Sequence, residues 1–188
     1  MPEPIDTFAS TAQMAERSNG AIPADRPFLD SALKAATKRI RNFCGWHIAT
    51  EQQDTLVLDG QAAAVIYLPT LRVVSIDEVT IDGTEVVFES DSLQWSQEGK
   101  LWRPSWSVNY RGVQLKYTHG FAEVPDDLVD MTLLIASRDL GSPLGVVREQ
   151  TLSSSVTWSQ TGFNQAGGAN LLDSEKDALQ AYKLGYIP

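Results

Sequence analysis

Residues 28–48 read FLDSALKAATKRIRNFCGWHI, and this stretch predicts the first long helix of the protein. Its apolar side chains recur at steps of three and four residues, which places them on one face of an α-helix; they are Leu29, Ala32, Leu33, Ala36, Ile40 and Phe43. Pro27 suits the start of the helix, and Gly45 suits its end because glycine adopts the left-handed turn that ends many helices. We expect the apolar face to pack into a core.

The other face of this helix is basic. Lys34, Lys38 and Arg41 follow each other at positions i, i+4 and i+7, and they are the densest basic patch in a chain with a net charge of -9. Two interpretations remain open: a contact surface for an acidic partner, or a basic face that only meets solvent.

A second long helix is predicted after Pro125, where acidic residues suit the positive end of a helix dipole. Its apolar positions form a broad arc, which is typical of a helix packed between neighbours; they are Leu128, Val129, Met131, Leu133, Leu134, Ile135 and Ala136. We expect it to pack on the first helix. A short N-terminal helix is indicated by Ser10 and Gln13, which have the spacing of a capping box.

Between the two long helices the apolar period changes to two, which predicts antiparallel strands. Asp82-Gly83 is a preferred pair for a two-residue hairpin turn, because both positions need positive φ. The sequence therefore predicts an α+β fold: a helical body of two long helices plus short N- and C-terminal helices, with an inserted antiparallel β module. We assign residues 1–53 to the N-terminal arm and helices, 54–120 to the β module, 121–141 to the second core helix, 142–170 to an extended polar loop or arm, and 171–188 to the C-terminal helix and tail.

No motif indicates an enzyme. The sequence has neither a phosphate-binding glycine loop nor a nucleophile elbow. Cys44 and His47 have a spacing typical of metal ligands and His119 could join them, but structural zinc needs four ligands. We predict no catalytic residues, no metal and no cofactor. A tryptophan-rich carbohydrate- or surface-binding module remains an alternative, and it requires exposed Trp102 and Trp106.

Charge and cysteine content limit the other functions. The excess of 24 acidic over 15 basic residues argues against gripping a phosphate backbone. The longest apolar run, residues 62–68, is far shorter than the roughly 20 residues of a membrane span. This run is too short to span a membrane, so we expect no membrane partner. Cys44 is the one cysteine, so no internal disulfide can form, and we expect synthesis in a reducing cytoplasm.

Five segments resemble the head-to-tail adaptors of tailed phages, which are also called head–tail connector or head completion proteins. They are IRNFCGWHI, LDG, IYLP, YTHGFAEVP followed by a helix, and a closing E-x-x-x-L-x-x-Y pattern at Glu175, Leu179 and Tyr182. The resemblance is to the long form from phages of actinobacteria, and it covers residues 5–188.

The resemblance implies a structural virion protein in the neck, made in the host cytoplasm. Copies of the family form a ring, usually dodecameric, which connects the portal to the stopper and tail. The ring lines the DNA exit channel, and DNA passes without specific binding. A stopper or tail terminator of the same neck is an alternative, but those proteins are mainly β.

Ring subunits need a head-to-tail interface, and we predict that Lys34, Lys38 and Arg41 meet Asp126 and Asp130 of the neighbouring copy. The C-terminal segment of the family commonly reaches the portal, which implies contacts through Leu172, Leu179, Tyr182 and Tyr186. The polar loop at residues 146–165 is our candidate for contact with a neighbour or with the tail side, through Val147, Val156, Trp158 and Phe163.

Overall fold

In the computed structural model, the described residues are 6–61, 63–87, 93–141, 148–151, 154–157, 160–162, 165–166 and 170–185, and for 148–166 only the backbone is described. Their helices are α1 (Thr11–Arg17), α2 (Leu29–Cys44), α3 (Asp126–Gly141) and α4 (Asp173–Ala178), which continues into a 3-10 turn, Leu179–Tyr182. Their strands are β1 (Gln52–Leu58), β2 (Val65–Tyr67), β3 (Val73–Ile81), β4 (Thr84–Glu85), β5 (Gln94–Trp95), β6 (Lys100–Trp102), β7 (Val113–His119), β8 (Arg148–Thr151), β9 (Ser154–Thr157), β10 (Gln160–Gly162) and β11 (Gln165–Ala166).

Contacts divide the chain into two compact units. The sheet unit comprises mainly Gly45–Glu123, and the helical unit comprises Ile5–Cys44 with Val124–Lys183. Long helices and antiparallel sheets occur together, so the predicted α+β fold class is confirmed.

The helical unit is built on α2 and α3, which pack against each other. The predicted stripe of α2 is buried from Leu29 to Ile40, while Phe43 at its end is only half-buried. Thr37 is also buried, and its hydroxyl accepts a hydrogen bond from the backbone N–H of Phe8 at 2.9 Å. The predicted capping box at the start of α1 is present, with Ser10 and Gln13 bonded reciprocally.

The predicted arc of α3 is wrong at one position. Leu134 is exposed, whereas Thr132, which sequence reasoning left out of the arc, is fully buried. At about 100° per residue, Leu134 lies on the opposite side of the helix from Leu128 and Ala136. Thr132 is accommodated in the core because its hydroxyl donates a 2.7 Å hydrogen bond to the carbonyl oxygen of Leu128.

The sheet unit contains a four-stranded antiparallel sheet in the order β1-β7-β3-β4 and a three-stranded sheet in the order β2-β6-β5. Leu115 in β7 lies opposite Leu56 in β1 and opposite Val79 in β3. One core cluster draws residues from both sheets, among them Ile66, Leu101, Val79, Leu115 and Tyr117. The predicted hairpin turn is present at Asp82-Gly83, where φ is 50° and 81°.

The segment that the sequence assigns to a polar loop contains strands where it is described. β8 pairs with β9, and β10 pairs with β11, each as a separate two-stranded antiparallel ladder. These strands contain three threonines and one valine, and β-branched residues of this kind favour extended backbone. Periodicity alone missed them because their apolar residues are too few to alternate.

Candidate functional site

We call Lys34, Lys38 and Arg41 the basic face of α2. Lys38 is exposed. The Nζ of Lys34 lies 3.1 Å from Asp30 and 3.7 Å from Asp6, and Asp30 raises the pKa of Lys34. Arg41 is half-buried, its guanidinium lies 4.8 Å from the centre of the Phe8 ring, and burial lowers its pKa. Lys38 is therefore the member of this face that is most open to a partner.

The two predicted acidic counterparts lie on α3. Asp126 is exposed at the first residue of the helix, and Asp130 forms a half-exposed ion pair of 3.2 Å with Arg17. Within the described residues neither carboxylate pairs with the basic face of the same chain. An exposed ion pair contributes at most about 1 kcal/mol to stability, so Asp130 can exchange Arg17 for another partner at little cost.

The C-terminal residues predicted to contact the portal have different environments. Leu179 lies in the core of the helical unit with 1% of its surface exposed, and Leu172 is half-buried. The Tyr182 hydroxyl donates to the Asp127 carboxylate at 2.9 Å, and burial together with Asp127 raises the pKa of Tyr182 to about 12. Tyr186 lies outside the described residues.

One of the four residues predicted for the assembly loop, Val156, lies in the described part of the chain. Val147, Trp158 and Phe163 lie outside the described residues. Val156 belongs to β9, where its backbone pairs with Glu149 of β8.

The tryptophans of the sheet unit differ in exposure. Trp102 is partly exposed on the three-stranded sheet, opposite Val65 in the register, whereas Trp106 is buried and its Nε1 donates to the carbonyl oxygen of Ala64 at 3.1 Å. The carbohydrate-binding alternative required Trp106 to be exposed, and that expectation is wrong. The indole of Trp106 instead anchors a loop.

Cys44 and His119 are buried, and His47 is half-buried. Cys44 is fully buried, which raises the pKa of its thiol to about 11. His119 is buried, stacks on Tyr117 and has its Nε2 3.0 Å from the Asp54 carboxylate; its ring centre lies 6.0 Å from that of His47. Among the described residues, no group of three potential ligands is placed to hold a metal ion.

Sequence reasoning missed a surface that we call the sheet tip, residues 104–112. Tyr110 and Val108 project from it with 90% and 76% of their surface exposed. The signal for it was two large apolar residues inside the turn-forming run SVNYRG, outside the alternation of any strand.

The sheet tip is held by many hydrogen bonds. The carboxylate of Asp82 accepts from the Ser107 hydroxyl at 2.7 Å and from the Asn109 amide at 3.0 Å. Asp59 accepts from the backbone N–H of Arg111 at 2.8 Å. Gly60 packs so tightly under Ser107 that a Cβ there would overlap with its backbone. The tip is thus a fixed loop that displays apolar side chains.

A second missed surface is a groove of about 590 Å³ in the helical unit, which we call the helical groove. It lies between the start of α2 and the end of α3, and Phe28, Ala32, Ala35 and Leu140 supply apolar walls. Phe28 is 82% exposed and has a φ of 66°, which is rare for a bulky residue. An apolar residue just before a helical stripe is the only sequence signal for this groove.

No helix in the described part of the chain has the length and apolar character that crossing a membrane requires.

Comparisons with known proteins concern the chain as a whole. No curated protein matches the chain significantly. A solved chain from the neck of a native GTA particle, computed with C12 symmetry, shares 13% identity and a TM-score of 0.60, covering 100% of this chain and 95% of that chain. A chain from the neck of an empty GTA particle, computed with C6 symmetry, shares 12% identity and a TM-score of 0.59 over the same proportions. At these identities the likeness shows the fold.

The family comparison reaches further. A model described as head completion protein matches residues 9–136, which covers α1, α2, the sheet unit and most of α3. The match spans well over half of the sequence and confirms the resemblance seen in the sequence. The chain therefore belongs to the head completion protein family.

Proposed function

We propose that this chain is a structural protein of the virion neck, where twelve identical copies form a ring that joins the portal to the stopper and tail. Its membership of the head completion protein family carries the proposal. The two similar solved chains come from necks computed with C12 and C6 symmetry, which supports a cyclic arrangement. The two long helices favour an adaptor over a stopper or tail terminator.

The ring lines the channel through which DNA leaves, and it does so without specific binding. A net charge of -9 supports this role, because an acidic wall repels phosphate groups and lets DNA slide past. No catalytic step is part of the proposed function.

The subunits associate head to tail, and the basic face of α2 contributes to this interface. Lys38 supports the proposal best because its ammonium group is exposed, and Asp126 is the more open of the two acidic candidates, Asp126 and Asp130. Lys34 and Arg41 flank Lys38 along the same helix and add to the positive potential.

The C-terminal segment and the polar loop make the contacts outside the ring. Leu172, Tyr182 and Tyr186 are the proposed portal contacts, and buried Leu179 holds their segment from inside the helical unit. Val147, Val156, Trp158 and Phe163 mark the part of the loop that meets a neighbour or the tail side. The finished protein resides in the virion neck after synthesis in the host cytoplasm.

Electron microscopy of particles made without the protein tests this function. We expect DNA-filled heads that lack tails and lack ring density below the portal, and we expect the wild-type chain supplied in trans to restore both. Normal tailed particles without the protein, or purified wild-type particles that lack it by mass spectrometry, would contradict the proposal.

A further inference from the structure

The four-stranded sheet has one long open edge, which is the outer side of β1. The order β1-β7-β3-β4 places β1 beside β7 alone. All seven residues of β1 pair with β7, and no backbone hydrogen bond described for the chain joins β1 to any other segment. About half of the N–H and C=O groups in such a strand point away from its neighbour. β1 therefore presents a row of backbone donors and acceptors with which another strand can pair.

The other edges of the two sheets are short or blunted. β2, β4 and β5 have three residues or fewer. β4 covers the far side of β3 only at its C-terminal end, but the rest of β3 has two irregularities of register and carries the adjacent acidic residues Asp77 and Glu78. Bulges and charges are devices by which proteins prevent a further strand from adding to an edge.

β1 has none of these devices. Its register with β7 shows no irregularity, and its sequence, QQDTLVL, contains no proline, lysine or arginine. Its one charged residue, Asp54, is already engaged, because its carboxylate accepts from the Gln52 amide at 2.9 Å and lies 3.0 Å from Nε2 of His119. An edge that is long, regular and nearly uncharged is a site for the addition of a strand.

The chain also contains strands that belong to neither sheet. β8 and β9 pair only with each other, at four successive positions. A ladder of two strands is marginally stable in water, and a third strand stabilises it. Six residues connect α3 to β8, and a connection of this length spans at most about 20 Å, so the ladder can extend away from the helix that carries it.

Of the two strands in this ladder, β9 matches the open edge of β1 better. β9 reads SSVT and is uncharged, whereas β8 carries Arg148 and Glu149. β9 has two β-branched residues, and the exposed residues of β1, Thr55 and Val57, are also β-branched. Pairs of such side chains on adjacent strands stabilise a sheet.

We propose that β9 of one copy adds to the open edge of β1 in the next copy, so that the four-stranded sheet continues across the subunit boundary. This inference rests on the proposed ring and gives the predicted assembly loop its partner surface. Each copy supplies one strand and receives one, which is the arrangement that a head-to-tail interface requires. A second copy is the occupant because β9 and β1 of a single chain are not paired with each other.

Disulfide formation between chains tests the pairing. Full-length chains with one new cysteine at Gln53, Thr55 or Val57 are mixed with full-length chains carrying Ser155→Cys or Val156→Cys. The mixture is oxidised, and mixed dimers are identified by mass. These positions include both faces of β9 and alternate residues of β1, so one pair lies side by side in every register in which all four residues of β9 pair with β1.

The control replaces the new cysteine of β1 by Val74→Cys on β3. Val74 matches Val57 in residue type and exposure, with 41% against 40% of its surface exposed, and the natural Cys44 stays in all chains because it is buried. We expect at least one β1 pair to cross-link about tenfold faster than the control, because pairing raises the effective concentration of the thiols. Rates that never exceed the control would overturn the proposal.

A second measurement separates pairing between copies from pairing within one copy. A chain carrying both cysteines of the fastest pair is oxidised at a concentration at which the wild-type chain is a monomer. We expect its internal disulfide to form no faster than in the corresponding chain with the Val74 cysteine. A fast internal disulfide would show that β9 covers the edge of its own sheet, and it would refute the second copy as the partner.

A lysine on the edge tests whether the ring depends on this pairing, because lysine side chains prevent strand addition. We expect Val57→Lys to lose ring assembly while its melting temperature stays within the range of ordinary surface substitutions. Val57→Thr, which keeps a β-branched side chain, and Val74→Lys, on the blunted edge, should both assemble like the wild type. Wild-type assembly by Val57→Lys would contradict the contact.

Failure of this contact is distinguishable from failure of the proposed function. If neck rings are present in particles but no β1 pair cross-links faster than the control, the strand pairing is wrong and the neck function stands. If particles assemble tails without the protein, the neck function is wrong, and the cross-linking still decides whether β1 and β9 of two copies pair.

Discussion

Arg138 and Glu175 form a bidentate ion pair that fastens the end of α3 to the start of α4. The Nη1 of Arg138 lies 2.7 Å from one carboxylate oxygen of Glu175, and its Nη2 lies 3.0 Å from the other. The second oxygen also accepts from the backbone N–H of Leu172 at 2.8 Å. Both side chains are largely buried, so the C-terminal segment is fixed within the helical unit before any partner binds.

Replacing one member of this pair should destabilise the protein strongly. We expect Glu175→Gln to lower the free energy of unfolding by about 3 kcal/mol, because it removes the negative charge of a mostly buried ion pair with Arg138. Urea unfolding followed by circular dichroism measures the change. The matched control is Lys176→Gln, which removes an exposed pair with Asp173 and should cost less than about 1 kcal/mol. Equal losses for the two variants would show that the buried pair has no special role.

The contact between Tyr182 and Asp127 predicts a specific dependence on alkaline pH. The folded protein raises the pKa of Tyr182 from 10.0 to about 12, so the neutral phenol stabilises the fold. This stabilisation is complete below pH 10 and is lost as the pH rises to about 12. Tyr182→Phe lacks the titrating hydroxyl. The difference in free energy of unfolding between wild type and Tyr182→Phe should therefore decrease as the pH rises from 10 to about 12. A difference that stays constant over this pH range would contradict the stabilising role of the neutral Tyr182 hydroxyl. Tyr117 also has a raised pKa, but it is present in both proteins, so its titration does not affect the difference.

Charge reversal on the basic face should impair assembly without affecting folding. Lys38 is exposed, so Lys38→Glu should leave the melting temperature of the isolated chain within the range of ordinary surface substitutions. Ring formation, measured by electron microscopy of particles or by light scattering, should decrease. Lys100→Glu, which makes the same charge change on the sheet unit, is the control. If Lys38→Glu assembled as well as the wild type, the basic face would not be part of the subunit interface.

The base of the sheet tip has no room for a side chain at Gly60. A Cβ there would overlap with the backbone of Ser107, so we expect Gly60→Ala to destabilise the chain by at least about 2 kcal/mol. Gly185→Ala is the matched control because nothing lies near its Cβ position. Chemical denaturation compares the two variants, and a neutral Gly60→Ala would show that the tip shifts without cost.

Some features of the fold were predictable because they depend on local sequence. The three- and four-residue spacing from Leu29 to Ile40 predicted the buried stripe of α2. Asp82-Gly83 predicted its turn because only a few residue types tolerate positive φ at both positions. In α3 the same reasoning chose Leu134 over Thr132, since hydrophobicity alone does not show that a hydroxyl bonded to its own helix can be buried.

The candidate surfaces were less predictable. Side chains of the predicted interface acquired partners that lie far away or outside the helical pattern, such as Phe8 beside Arg41 and Arg17 beside Asp130. Trp102 and Trp106 are close in sequence but differ in burial, because Trp106 turns inward to reach the Ala64 carbonyl.

The sequence by itself determined the helices, the antiparallel module and the family, because these follow from spacing, turn chemistry and the order of motifs along the chain. Only the tertiary structure decided which of those residues face solvent. Exposure depends on neighbours distant in sequence: Arg138 finds Glu175 across 37 positions, and Tyr110 is exposed because Asp59 and Asp82 hold its loop in place. No local pattern records such contacts, so the tip and the groove became visible only in the folded chain.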